Sequence, residues 1–451
     1  VDAAHYGGCS DALTPLRRLT EWGVRTLDRT RDYANADGEG LPRVGWSEWY
    51  TLSENLYRAY LLTGLDLYRE FAAVWEYPAY WNRYAEGVDL FAPHADGTRT
   101  LSYHAYSHVN TLSGAAAAYL VHGAPHYLAT LRAAHDYLLR TQCYATGGFG
   151  PNESLLPRPE WRALLTGTTR HFETQCGSWA VFKLCKYLLS FTGEARYGDW
   201  IERVLYNGIG ASLPMTADGR VTYYSNYNPA GATKVLYDDY WSCCSGSQPM
   251  AVADYHDLVF LRDDDGLYVN LFVPAAVTWS HAGRLVTVTQ RTRFPEDDAV
   301  TLRVDAAGPV DLTLRLRAPA WIGQPLAATI GDCPAKLVVD ARGWATLRRT
   351  WLPGDTLVVR VARPVWGCPL DSDAPSPAAV LCGPVVLALR APEHAPHGRV
   401  PLSAPGQALV EYPAEPLHFA VADDPTLLAR PLYAVGEGEP YYVYLNAMPP
   451  A

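Results

Sequence analysis

Cys243 and Cys244 stand side by side in "DDYWSCCSGSQ", residues 238–248. Neighbouring thiols seldom bond to each other, because the eight-membered ring they would close is strained away from ordinary disulfide geometry. They are therefore bystanders, halves of two separate disulfides, or adjacent ligands of one soft metal ion. A second stretch, "RHFETQCGSW" (170–179), adds Glu173 and Cys176. Together Glu173, Cys176, Cys243 and Cys244 make a zinc set: three thiolates and a carboxylate suit a borderline-soft tetrahedral ion. Against that reading, Glu-x-x-Cys is common by chance, and unpaired cysteines are usually small buried hydrophobes.

Glu153 follows the glycine-rich turn "GGFGPN". Such a turn can bring a carboxyl against a ligand, where partial burial raises its pKa and suits it to general acid work. The competing reading is a solvated loop glutamate. His104 and His108 lie in "SYHAYSHVNT" (102–111) among aromatic and polar residues. Histidines there serve either as ligand contacts or as satisfied structural donors. These stretches all fall between or at the ends of helical segments, where connecting loops carry function.

The elements that must hold these residues change period along the chain. In the first half apolar residues recur at helical intervals. "AYLLTGLDLY" (59–68), "AYLVHGAPHY" (118–127) and "KYLLSFTGEARY" (186–197) each end a helix at glycine and restart with a tyrosine four residues on. Recurring helical hairpins of this kind predict an α/α toroid around a cleft. After about residue 258 the period becomes two: "RLVTVTQRT" (284–292), "AVTLRVD" (299–305), "VDLTLRLRAP" (310–319), "GDTLVVRVA" (354–362) and "GPVVLAL" (383–389) alternate between turn signals. These predict an antiparallel β-sandwich. "PLDSDAPSPAA" (369–379) reads as a loop, and "EGEPYYVYLNAMPP" as one further strand. The expected domains are a toroid over 1–257, a sandwich over 258–365, and a C-terminal β segment over 366–451 that packs on or completes it.

Size and composition set the outer limits. A chain of 451 residues, 49% hydrophobic and 19% charged, is globular and large enough for two or three domains. A net charge of −10 argues against nucleic acid as a partner. No apolar run reaches membrane-spanning length; "AAVLCGPVVLAL" is short and broken by Gly383-Pro384. Nine scattered cysteines fit free thiols better than a disulfide framework. With no signal peptide pattern visible, they suggest a cytoplasmic location. Oligomeric state has no signature beyond the allowance of a homodimer.

Taken in order, these stretches resemble the bacterial β-L-arabinofuranosidase family of zinc-thiolate glycoside hydrolases. "SHVNTLSGAAAAYLVHG" (107–123) is similar to the family's His-x-Asn-Thr helix start, and "YATGGFGPNES" (144–154) to its glycine turn and acid/base glutamate. "FETQCGSW" (172–179) looks like its Glu-Thr-Cys segment, and "WSCCSGS" (241–247) like its tryptophan-flanked cysteine pair. "LRLRAPAWI" (314–322), "WLPGD" (351–355) and "GPVVLAL" look like its β-domain. The resemblance spans residues 48–390.

It implies a retaining, exo-acting furanosidase on a six-hairpin-like toroid, here shortened at its N-terminal end, followed by the sandwich. Cys243 would be both nucleophile and zinc ligand, with Glu173, Cys176 and Cys244 completing the site and Glu153 as acid/base. His104, His108, Asn110, Trp241 and Tyr224 would contact the carbohydrate, with Tyr223 the competitor of Tyr224. The chain departs from the family pattern at "ETQC", Glu-x-x-Cys where Glu-x-Cys is usual. On a helix the extra residue would turn the cysteine about 100° from the glutamate and leave three thiolates plus water. The alternatives are a lyase or cyclase on the same scaffold, or a carbohydrate-binding protein with a structural zinc.

Overall fold

The computed structural model describes residues 1–27, 48–212, 220–236, 243–390 and 395–447. Trp241 lies outside them. The chain divides into two compact units, one formed by residues 1–142 with 153–158, the other by 143–152 with 159–451.

The first unit is helical: α1 (Asp2–His5), α2 (Leu13–Thr26), α3 (Leu52–Thr63), α4 (Asp66–Val74), α5 (Pro78–Ala85), α6 (Ala105–Asn110), α7 (Leu112–His122) and α8 (Pro125–Thr141). The glycine-and-tyrosine rhythm has a simple cause. Gly64 closes α3 and Gly123 closes α7 in the left-handed conformation, with φ of 72° and 66°. Glycine alone takes that backbone without steric cost, so it ends the helix and reverses the chain. Tyr68 and Tyr127 then sit on the returning helices with their rings buried. A two-stranded ribbon, β1 (Tyr103–His104) against β2 (Ser154–Leu155), places His104 opposite Ser154.

The second unit begins with the glycine turn, continues through α9 (Arg158–Gly167), and repeats the hairpin with α10 (Thr174–Thr192) and α11 (Tyr197–Val204), joined at Gly193 with φ of 66°. A short ribbon pairs β3 (Phe172–Glu173) with β4 (Tyr224–Ser225), and α12 (Cys243–His256) follows. Beyond it lie, among the described residues, a five-stranded and a six-stranded sheet. The first has the order β13 (Val338–Val339), β14 (Trp344–Trp351), β10 (Val310–Arg317), β6 (Gly266–Val269), β5 (Phe260–Arg262). The second runs β12 (Cys333–Pro334), β11 (Ala327–Ile330), β15 (Asp355–Arg360), β9 (Ala299–Ala306), β8 (Arg284–Thr292), β7 (Ala275–His281). Val286, Val288, Val300, Leu302, Leu312, Leu314, Leu357 and Val359, the alternate residues of these strands, share one apolar core. Pairing is antiparallel except between β6 and β10. The fold is thus a helical N-terminal domain followed by a β-rich one.

A third sheet follows, built on β16 (Val365–Asp371), β17 (Ala374–Cys382), β18 (Val385–Arg390), β21 (Asp424–Pro431), β20 (Phe419–Val421) and β19 (Leu409–Glu411). Residues 369–379, expected as a loop, form most of the β16–β17 hairpin instead. Prolines are tolerated there because β16 is an edge strand, and the start of β17 has a neighbour on one side only. The strand expected near the C-terminal end is present as β22 (Tyr444–Leu445), paired with β17. Its segment also reaches back to the helical part of the unit. Tyr441 bridges Ala232 and donates its hydroxyl to the Asn226 carbonyl at 2.8 Å. Tyr444 accepts from the backbone N–H of Ala145 in the glycine turn at 2.8 Å. Lys234 donates to the Val435 carbonyl at 2.7 Å.

Candidate active site and metal centre

Three thiols and a carboxylate converge in the second unit. Cys243 and Cys244 occupy the first turn of α12, and Cys176 the first turn of α10, which packs against it. The sulfur of Cys176 lies 3.6 Å from that of Cys243 and 3.7 Å from that of Cys244. Glu173 Oε1 is 3.3 Å from Cys243 Sγ and 3.9 Å from Cys244 Sγ. All four donor atoms fall within 4.8 Å of one another. Ligands at ordinary zinc distances around a tetrahedron stand about 3.8 Å apart for two sulfurs and about 3.5 Å for sulfur and oxygen. The donor set therefore fits a tetrahedral thiophilic cation in both chemistry and spacing.

The Glu-x-x-Cys spacing is absorbed at a strand-to-helix junction. Glu173 is the last residue of β3 and caps α10 with extended backbone (φ −71°, ψ 90°), so it does not ride on the helix with Cys176. The expected 100° rotation does not apply. β3 is fixed by Phe172, whose ring wedges where glycines leave room. A methyl group added at Gly177 would come within 2.3 Å of that ring, and one at Gly148 within 2.7 Å. Adjacent cysteines also divide their tasks by helix geometry, since successive side chains point about 100° apart. Cys244 is buried and Cys243 is exposed.

The exposed sulfur is the acidic one. Hydrogen bonds donated by the Cys176 and Cys244 thiols and by the Tyr223 hydroxyl hold the Cys243 thiol far below the usual range. The Cys176 thiol moves up, because it keeps its proton and donates a hydrogen bond to Cys243, and burial pushes Cys244 up. Two helix N-termini meeting at the cluster favour negative charge there as well. Tyr223 Oη lies 3.0 Å from Cys243 Sγ, and Ser247 Oγ 3.0 Å from Cys176 Sγ. Tyr223, the second choice in the sequence, is thus the tyrosine on the sulfur. Tyr224 pairs with Glu173 across the ribbon, and its ring lies under the Arg170 guanidinium, 5.3 Å from the centroid. Ser247 had no signal in the sequence beyond its place one turn after Cys243.

In the first unit, His104 Nε2 is 3.4 Å from Glu153 Oε2. His104 caps α6 and accepts from the Ser107 N–H through Nδ1, which leaves Nε2 to donate to the carboxylate. Glu153 is half-buried and has φ of 59°, next to Asn152 with φ of 50°. Two consecutive left-handed, non-glycine residues cost about 1–2 kcal/mol each and mark a placement that the surroundings impose. The Asn152 N–H is tied to the Arg170 carbonyl at 2.7 Å, and its Oδ1 accepts from Thr168 at 2.6 Å. His108 is buried among the rings of Tyr50, Tyr77, Tyr80 and Tyr103, and its Nδ1 donates to the His104 carbonyl at 2.9 Å. Burial lowers its pKa to about 3. Asn110 ends α6 and is buried.

The family model for the β-L-arabinofuranosidase GH127 catalytic domain matches residues 1–257, and that for the GH127 middle domain matches residues 266–363. The chain belongs to the GH127 β-L-arabinofuranosidase family. It is a glycoside hydrolase, and its substrate is a carbohydrate. Similar solved structures include a GH127 β-L-arabinofuranosidase from Geobacillus stearothermophilus T6, at 20% identity and a TM-score of 0.66, covering 88% of this chain and 71% of that one. Another is a GH127 β-arabinofuranosidase at 18% identity and a TM-score of 0.72, covering 99% of this chain and 75% of that one. A third, described as a glycoside hydrolase, has 15% identity and a TM-score of 0.65 over 88% of this chain and 74% of that one. No curated protein is matched. Among the described residues no helix is long and apolar enough to cross a membrane.

Proposed function

We propose that this GH127 enzyme is a retaining, exo-acting β-L-arabinofuranosidase in which Cys243 is the nucleophile and Glu153 the acid/base. The observation that carries the reading is the convergence of three thiols and one carboxylate within 4.8 Å of one another, with Cys243 the exposed member of the set. Glu173, Cys176, Cys243 and Cys244 would hold a zinc ion, which when bound keeps the sulfurs deprotonated at neutral pH. The Cys243 thiolate attacks the anomeric carbon while Glu153 protonates the departing glycosidic oxygen. Glu153, now a carboxylate, then takes a proton from water, and the water displaces sulfur from the same carbon. Two inversions leave the configuration retained. His104, through Nε2–H, holds the Glu153 carboxylate in place for both proton transfers. Family membership favours this hydrolytic route over elimination or cyclisation on the same scaffold.

Glu153→Ala is expected to lower turnover of an aryl β-L-arabinofuranoside by about 10²–10⁴-fold. Zinc content, measured by metal analysis, should stay near one per chain in that variant and fall in Cys176→Ser. Normal turnover by Glu153→Ala would remove the acid/base assignment. A screen of aryl glycosides that finds another sugar preferred would remove the arabinofuranose.

A further inference from the structure

Two hydroxyls reach the sulfur cluster. That of Tyr223 meets the exposed Cys243; that of Ser247 lies 3.0 Å from the sulfur of Cys176, and both Ser247 and Cys176 are buried. Ser247 stands four residues after Cys243 and three after Cys244 on α12, so it shares their side of the helix, whereas Cys176 belongs to α10. The contact therefore ties the two helices together at the ligands themselves.

The direction of this hydrogen bond follows from a count of protons. A thiol has one proton, and that of Cys176 is directed at the Cys243 sulfur. The Ser247 O–H is then the donor. A bound metal leaves the direction unchanged, because a ligating sulfur is a thiolate and can only accept. Helical hydroxyls commonly turn to the carbonyl four residues back. Thr20, Thr63, Thr141 and Ser190 do so in this chain. Ser247 has the Cys243 carbonyl in that position, yet among the described residues its hydroxyl bonds to the sulfur. The need it meets is electrostatic. Three thiolates and one carboxylate bring four negative charges to a dication, and an O–H aimed at a buried thiolate offsets part of the excess.

We propose that Ser247 is a positioning residue of the metal centre: its O–H fixes the buried Cys176 sulfur as the anchoring ligand and leaves the exposed Cys243 free to react. The inference rests on the zinc set proposed above. The test challenges the zinc-loaded enzyme with increasing concentrations of a chelator, and records the thiolate-to-metal absorption band of the enzyme loaded with cobalt instead. Alanine at 247 suits a helix and adds no bulk, so α12 keeps its form in Ser247→Ala. That variant should hold zinc about 10- to 100-fold more weakly than wild type. Its cobalt band should move to longer wavelength, because a thiolate that loses a hydrogen bond gives up an electron more readily. Unchanged zinc affinity overturns the proposal. So does weaker affinity with an unmoved cobalt band, which would make Ser247 a packing residue with no bond to the ligand; either result leaves the zinc set standing. If wild type itself takes up no zinc, the zinc set falls and the proposal with it.

Discussion

Tyr223 holds its hydroxyl 3.0 Å from the Cys243 sulfur and is itself buried, so the contact is fixed and not a matter of a mobile surface side chain. A hydrogen bond to a charged acceptor contributes about 1.5–3 kcal/mol. Tyr223→Phe is therefore expected to lower kcat by about tenfold or more. Zinc content should stay at the wild-type value, since the hydroxyl is not part of the four-donor set; metal analysis beside steady-state kinetics checks both. At this scale the sequence was readable where two chemically loud residues stood together. Paired thiols at 243 and 244, and an acid with a thiol at 173 and 176, are by type a candidate metal set, and the structure brings their four donor atoms together. Choosing Tyr223 over Tyr224 needed the ribbon's pleat, which sends alternate side chains to opposite faces. Ser247 is an ordinary residue in its local sequence, and only tertiary placement gives it meaning.

At the scale of elements, the Glu173–Cys176 spacing works because a strand ends and a helix begins between them. Phe172 secures that junction, and Gly177 makes room for Phe172. Gly177→Ala adds a methyl group 2.3 Å from the ring, in a region already packed to native density. It should cost about 1–3 kcal/mol of stability. It should also lower zinc content by displacing Glu173, whereas Gly64→Ala, at a helix end with open space beyond, should cost stability alone. Thermal melting with metal analysis on both variants separates the two effects. The helices and their glycine ends were legible because a left-handed cap has few residue choices. The β16–β17 hairpin was not, because proline signals a break unless the strand is known to be at an edge. Edge position is a property of the assembled sheet.

Across the whole molecule, two buried histidines tie stability to pH. Burial lowers His108 to about 3 and His171 to about 4, both below the ordinary 6.5. His171 is satisfied in its neutral form, donating to the Leu165 carbonyl and accepting from the Tyr227 N–H, both at 3.0 Å. Above pH 6.5 neither histidine is charged in either state, and neither contributes a pH dependence. As pH falls below 6.5 the unfolded chain takes up protons that the folded one refuses. Each histidine then costs up to about 1.4 kcal/mol per pH unit until its folded pKa is reached. The melting temperature should fall steadily between pH 6.5 and 4, and His108→Gln should flatten that fall relative to its own value at pH 7. An identical slope in the variant would mean that His108 is accessible to protons in the folded state.

The segment around Tyr441 and Tyr444 gives the molecule a built-in order of events. Tyr444 clasps Ala145, and Tyr441 clasps Asn226, so the glycine turn and the loop after Tyr224 are held by residues made far later on the ribosome. Helices and early ribbons can form as they emerge, but the frame around the sulfurs waits for a partner almost three hundred residues downstream. A nascent chain would accordingly pass through a long interval in which it is folded in part and catalytically silent.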